Sequence, residues 1–124
     1  MPEDDKARQR LVELYFNLER RAEATAELDE LIGLYRRRGN LAKAREVLEG
    51  LTETHPDELE LHKRAAQLGV ETGNKERAIT HLDAMGELQL QLGHVQEAVA
   101  TIKAIIALGP ENVDAYRQLL EQIT

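Results

Sequence analysis

The side chains of this sequence that could do metal chemistry are its histidines. The four of them are His55, His62, His81 and His94. No two are three or four residues apart, as two zinc ligands on one helix face would be, and the zinc-protease pattern HExxH does not occur. We therefore interpret them as structural or surface histidines, with His55 and His94 in turns, and expect no metal and no other cofactor.

Acidic residues are the other candidates for chemistry. The adjacent Asp29 and Glu30 form one pair, and Glu76 and Asp83 form another. A catalytic pair of carboxylates needs burial or a close charge to separate the two pKa values, and nothing in the sequence places these side chains away from water. A glycine-rich phosphate loop and a nucleophile motif are both missing. The sequence predicts a protein that is not an enzyme.

A run of three arginines, Arg36 to Arg38, could bind phosphate, but its position has a simpler reading. It falls at the predicted end of a helix, where cations complement the negative end of the helix dipole. The whole chain is acidic, with 23 acidic against 16 basic residues and a net charge of −7. Because nucleic-acid binding draws much of its affinity from basic faces, we expect no nucleic-acid partner.

Composition limits the chain to one class of fold. At 124 residues it is large enough to bury a core as one domain, and 42% hydrophobic with 31% charged residues is typical of exposed helices. There is no cysteine, so disulfides and thiolate metal sites are excluded. No apolar run reaches the roughly 18 residues of a membrane span, and the N-terminus has no signal-peptide core. We expect a cytoplasmic protein without a membrane partner.

Apolar residues recur at helical spacing between regular stop signals. The sequence predicts helices from Pro2 to about residue 18, then over 21–38, 41–54, 57–72, 75–92, 95–108 and 111–124. The second to sixth helices end near glycine or proline, which stop helices for conformational reasons, and the first ends where the apolar pattern shifts near Glu19 and Arg20. On the first helix we expect Leu11, Leu14, Tyr15 and Leu18 to be buried. Connections of two or three residues make neighbouring helices antiparallel, so the predicted fold is an all-α helical-repeat solenoid of about seven helices.

The chain repeats itself every 54 residues. Pro2, Pro56 and Pro110 are each 54 apart, and the same shift pairs Gly39 with Gly93 and apolar positions with one another. We divide the single domain 1–124 into unit 2–55, unit 56–109 and a terminal helix 110–124. Because the chain begins at a unit boundary, we interpret it as a piece of a longer array, with natural termini as the alternative.

A shorter pattern of small or apolar residues lies within this period. Counted from Thr25, it comprises Leu28, Leu31, Ile32, Tyr35, Gly39, Ala44, Leu48, Leu51 and Pro56. Counted from Ile79, it comprises Leu82, Met85, Gly86, Gln89, Gly93, Ala98, Ile102, Ile105 and Pro110. This spacing resembles the tetratricopeptide repeat, although Ile32 and Gln89 depart from the family's pattern and overlapping windows make the register irregular. We expect the two long helices, 21–38 and 75–92, to be continuous rather than kinked at Gly33 and Gly86.

The resemblance implies a non-catalytic scaffold that presents a groove or an end face to a peptide or protein. Carrying the family's ligand positions over to the fourth helix gives Glu60, Lys63, Arg64, Gln67, Val70 and Glu71. The candidates that we single out are Phe16 near the N-terminus and Lys63, Arg64 and Gln67 on the fourth helix. The alternative for these residues is ordinary packing for Phe16 and solvated helix charge for the others. The family's clamp for a carboxylate terminus is not reproduced here.

The last helix suggests a second function. Val113, Tyr116, Leu120 and Ile123 form an apolar stripe with no following helix to cover it. The alternative hypothesis is therefore a structural segment that forms a homo-oligomer through exposed terminal helices, with Tyr116 as a contact residue. The stripe would also fit the capping helix that solenoids need.

Overall fold

Seven α-helices and no strands make up residues 5–124, which are the part of the chain that the computed structural model describes. The helices are α1 Asp5–Asn17, α2 Arg21–Arg37, α3 Leu41–Thr54, α4 Leu59–Glu71, α5 Lys75–Gln91, α6 Val95–Leu108 and α7 Val113–Ile123. The predicted all-α class is confirmed. The predicted helix start at Pro2 lies outside the described residues.

The chain divides into two compact units, Met1–Pro56 and Asp57–Thr124. Within the first unit, α1 packs on α2 and α2 on α3. Within the second, α4 packs on α5, α5 on α6 and α6 on α7. Each unit is thus built from helices that contact their neighbours in the chain, as expected where the connections are short.

The 54-residue repeat of the sequence recurs in the helix boundaries. Helices α4, α5 and α6 begin and end 54 residues after α1, α2 and α3, at every boundary. The turns recur as well: the backbone angle φ is 68° at Gly39 and 79° at Gly93. Equivalent stop signals therefore produce equivalent helix ends in both units.

The first turns of the two units differ at the residue with a positive φ. Gly73 ends α4 with φ of 73°, whereas the equivalent position in the first unit holds Glu19 with φ of 59°. A residue with a Cβ atom is strained in this left-handed region by about 1 kcal/mol or more relative to glycine. The Glu19 side chain is exposed, so nothing in the described residues offsets that strain by burial.

We expect Glu19→Gly to raise the free energy of unfolding by about 1 kcal/mol, because glycine removes the strain at this helix end. Thermal and urea denaturation measure the change. The reciprocal control is Gly73→Ala, which should lose a similar amount, since an added Cβ at Gly73 would meet no atom within 4 Å and the backbone alone would resist. A Glu19→Gly protein no more stable than wild type would show that the turn is not strained.

The predicted buried face of α1 is wrong at Leu14 and Leu18, whereas Leu11 and Tyr15 are half-buried. Leu14 and Leu18 are 43% and 64% exposed, while Val12 and Phe16 are 0% and 3% exposed. Polar residues of α1 also bond to α2. The Tyr35 hydroxyl donates to Asp5 Oδ2 at 2.8 Å and accepts from Gln9 Nε2 at 3.0 Å.

The same contact shifts two pKa values. The hydrogen bond from Tyr35 lowers the pKa of the Asp5 carboxyl, since it stabilises the charged form. Burial raises the pKa of the Tyr35 hydroxyl, and its bond to Asp5 adds to that rise. Tyr35 therefore stays a proton donor at neutral pH and links Asp5 of α1 to α2.

Both long helices are uninterrupted, as predicted. Helix α2 runs through Gly33 and α5 runs through Gly86 without a break. The departure at Gln89 also has a structural reason. Its side-chain Oε1 accepts a 2.7 Å hydrogen bond from the Thr101 hydroxyl, and both residues are buried. A polar pair between α5 and α6 thus replaces the apolar contact that the repeat pattern predicts at this position.

Candidate partner-binding grooves

A groove of about 340 Å³ opens on the second unit between α4 and α6, with α5 as its floor. We call it the α4–α6 groove. Its lining residues are Lys63, Ala66, Gln67, Val70, Leu82, Met85, Ala104, Ala107 and Leu108. The groove exists because alanines stand at three of these positions, where larger side chains would fill the space between the helices.

The α4–α6 groove is apolar and open to solvent. Val70 on its rim is 56% exposed, a large fraction for a branched apolar side chain. Met85 lies on the floor and is 8% exposed. Lys63 is the one ionisable residue in the lining. The surface therefore combines exposed apolar area with a single positive charge at one edge.

Two of the sequence-predicted site residues, Lys63 and Gln67, lie in this groove, together with Val70 from the same predicted set. The third predicted residue of α4, Arg64, does not line it. Its Nη1 donates to Glu60 Oε1 at 2.7 Å and to the Glu60 carbonyl oxygen at 3.0 Å, which holds the side chain along α4.

Phe16 is placed differently from the other predicted site residues. It is 3% exposed, and its ring centroid lies 5.6 Å from that of His55 within the first unit. A side chain so buried offers almost no surface to a partner. The structure thus agrees with the packing alternative that the sequence left open for Phe16, and a partner-binding role for it stays an untested prediction.

A second groove of about 340 Å³ lies on the same unit between α5 and α7, with α6 beneath it. We call it the α5–α7 groove. It is lined by Asp83, Gly86, Glu87, Leu90, Ile102, Ile105, Tyr116 and Leu119. The fifth sequence-predicted residue, Tyr116, therefore lies in a different groove from Lys63 and Gln67.

Tyr116 joins the two rims of the α5–α7 groove. Its hydroxyl donates to Asp83 Oδ1 at 3.0 Å, linking α7 to α5. Partial burial raises the pKa of the Tyr116 hydroxyl, and the hydrogen bond to Asp83 and that carboxylate's charge raise it further. Tyr116 is therefore protonated at neutral pH and remains the donor in this bond.

Two histidines that the sequence treats separately meet inside the second unit. His62 of α4 and His81 of α5 are 7% and 5% exposed, and their Nδ1 atoms are 3.0 Å apart. A hydrogen bond between two Nδ1 atoms requires one ring to carry its proton there and the other to present its lone pair. Nothing in the sequence signalled this pair, because the residues are 19 apart on different helices.

Within residues 5–124 no group of three or more histidine, cysteine or acidic side chains is arranged to hold a metal ion. The His62–His81 pair alone supplies two ligands, fewer than a structural zinc site uses. No helix in the described range is long and apolar enough to cross a membrane.

Comparison with known proteins agrees with the repeat pattern. Residues 25–68 match the tetratricopeptide repeat family, and the match begins at Thr25, the residue from which the repeat positions were counted. Neither the search of curated proteins nor that of solved structures gave a match. Proteins of this family are generally non-catalytic scaffolds that bind other proteins. The matched segment 25–68 is similar to the tetratricopeptide repeat family, and the seven helices and helix-ending glycines of the described residues agree with a helical repeat of that kind.

Proposed function

We propose that this chain is a non-catalytic scaffold that binds a protein or peptide partner in the α4–α6 groove. The observation that carries the proposal is that an open apolar groove lies at the positions where the family resemblance places ligand contacts. Lys63, Gln67 and Val70 belong to both sets. We expect no catalytic activity, and a cytoplasmic location remains a prediction.

The chemistry of the groove indicates the kind of partner. Burying apolar surface stabilises a complex by roughly 25 cal/mol per Å² removed from water, so the exposed face of Val70 and the neighbouring alanines favour apolar side chains. Shallow alanine-lined grooves suit a helix that inserts one or two apolar residues per turn. Lys63 at the edge favours an acidic residue next to them. The proposed ligand is a helical segment with an apolar face and a flanking acid.

Burial in the first unit supports this reading. The positions equivalent to Val70, Leu82 and Met85 are occupied there by Phe16, Leu28 and Leu31. Those three side chains are 3%, 0% and 0% exposed. The repeat thus uses these positions for buried contacts, whereas in the second unit Val70 is left open to solvent.

A displayed library of random peptides, selected on the purified protein, tests the proposal. We expect enriched sequences to carry apolar residues at helical spacing. Val70→Asp should weaken their binding at least tenfold, about 1.4 kcal/mol, because it places a charge in the apolar contact. Val95→Asp is the matched control, since Val95 is 42% exposed and does not line the groove. If wild type and Val70→Asp bound the selected peptides equally well, the α4–α6 groove would not be the binding site.

Self-assembly is the second candidate function, and the state of α7 favours it. No residue of this helix is buried, and its apolar stripe of Val113, Tyr116, Leu120 and Ile123 is only half-buried. A second copy of the chain could cover that face. Light scattering after size exclusion, across a dilution series, decides the matter: a dimer or larger species supports assembly, and a monomer at every concentration excludes it.

A further inference from the structure

The α5–α7 groove is a separate surface from the one assigned above. The two grooves have no residue in common, although both use α5 and α6. Leu82 and Met85 face the first, whereas Asp83 and Glu87 face the second, because successive helix residues point about 100° apart. A ligand in one groove leaves the lining of the other free.

The floor of the α5–α7 groove is apolar and has space above it. Ile102 and Ile105 form the floor and are 2% and 1% exposed. Gly86 stands beside them without a side chain. A Cβ built there would find Thr101 Cγ2 as its nearest neighbour, at 3.7 Å, an ordinary contact. The absence of a side chain at position 86 therefore leaves room in the groove itself.

The rim formed by α5 is negatively charged. Asp83 and Glu87 are one helical turn apart, and both are exposed. Asp83 accepts a hydrogen bond from the Tyr116 hydroxyl, whereas Glu87 has no hydrogen bond or ion pair with any residue in the range 5–124. No lysine or arginine lines the groove. The site thus presents two carboxylates beside an apolar floor without a cation of its own.

We propose that the α5–α7 groove binds an arginine or lysine side chain from a basic segment of a partner protein. Such a side chain has an apolar stem and a cationic head. The stem fits over Ile102 and Ile105 while the head reaches Glu87 and Asp83, where a charged hydrogen bond is stronger than a neutral one. The carboxylates would repel nucleic acid and anionic lipid, so the complementary partner is a basic protein segment.

The probe is a fluorescein-labelled synthetic helix with leucines and arginines at helical spacing. The control peptide is the same helix with glutamate in place of each arginine. Fluorescence anisotropy at low salt should show binding of the arginine peptide alone, weakening several-fold as salt screens the charges. Glu87→Gln should weaken binding by roughly threefold and Asp83→Asn/Glu87→Gln by at least about tenfold. Gly86→Met, which fills the groove, should weaken binding about tenfold, and a thermal melt of this variant checks that it is folded.

Two controls separate this site from general attraction and from the α4–α6 groove. Glu111→Gln/Glu121→Gln removes the same charge outside the groove and should leave the affinity unchanged. Val70→Asp should also leave the affinity for the arginine peptide unchanged. The binding proposals for the two grooves are therefore tested independently. The proposal is overturned if the glutamate peptide binds equally well, if Asp83→Asn/Glu87→Gln binds like wild type, or if the arginine peptide does not bind at millimolar concentration.

Discussion

Replacing Gly69 by alanine should destabilise the protein by about 1–3 kcal/mol, the usual cost of forcing extra volume into a packed contact. The reason is the distance between α4 and α5 at this point. A Cβ on Gly69 would lie 2.9 Å from the Ala78 backbone nitrogen and 3.1 Å from its Cα. Both atoms belong to the backbone of α5, so the contact could be relieved only by moving one helix away from the other.

The matched control for this prediction is another helical glycine. Gly50 lies on α3, is exposed, and a Cβ there would meet no atom within 4 Å. Gly50→Ala should therefore stabilise the protein by about 0.5–1 kcal/mol through helix propensity alone. Urea denaturation of the two variants should give changes of opposite sign. If Gly69→Ala were as stable as Gly50→Ala, that result would contradict the close approach of α4 and α5 at Gly69.

The second large effect is expected at the His62–His81 pair. Replacing either histidine by leucine removes the Nδ1 partner of the other and leaves that ring buried, which should cost about 1–3 kcal/mol. The double replacement His62→Leu/His81→Leu removes both polar groups together. The double variant should therefore lose less unfolding free energy than the two single variants lose together. The difference should be roughly 0.5–3 kcal/mol, the range found for residues in direct contact.

A double-mutant cycle by urea denaturation measures that coupling energy. His94→Leu is the control, because His94 is exposed and its replacement should stay within about 0.5 kcal/mol of wild type. Nitrogen-15 spectra of the rings add an independent readout: one Nδ1 of the pair should be protonated and the other not. Additive losses together with identical ring spectra would contradict a direct hydrogen bond.

The helices could be predicted from the sequence because their ends are marked locally. Gly39 and Gly73 stop α2 and α4, and the side chains of Asn40 and Asn74 then accept the first hydrogen bonds of α3 and α5. The predicted boundaries agree with the observed ones within about two residues wherever the structure describes them. Gly39 and Gly73 are also 34 residues apart, which is the spacing of a regular repeat. The overlapping windows made this regular spacing hard to recognise in the sequence.

Contacts between helices could not be predicted in the same way, because they depend on how each helix is rotated about its axis. The apolar pattern of α1 predicts burial of Leu14 and Leu18, whereas the structure buries Val12 and Phe16. The close approach at Gly69 is equally hidden, since its equivalent in the first unit is Tyr15. A pattern of repeated residue types does not encode such differences.

The candidate site could be predicted in part for the same reason. Lys63 and Gln67 lie on one face of one helix, so family positions were enough to indicate them. The grooves themselves form only when three helices lie side by side. Their volumes depend on small residues in the lining, such as Ala104 and Ala107 in one groove and Gly86 in the other. Composition records those alanines and glycines without saying which of them face one opening.

The central claim is that a partner binds in the α4–α6 groove, and its most direct test is a nitrogen-15 NMR titration of the protein with a library-selected peptide. Our account predicts that the shifted amide signals cluster at residues 63–70, 82–85 and 104–108, and that Val70→Asp abolishes the shifts. Shifts centred on the first unit, or shifts that persist unchanged in Val70→Asp, would contradict it.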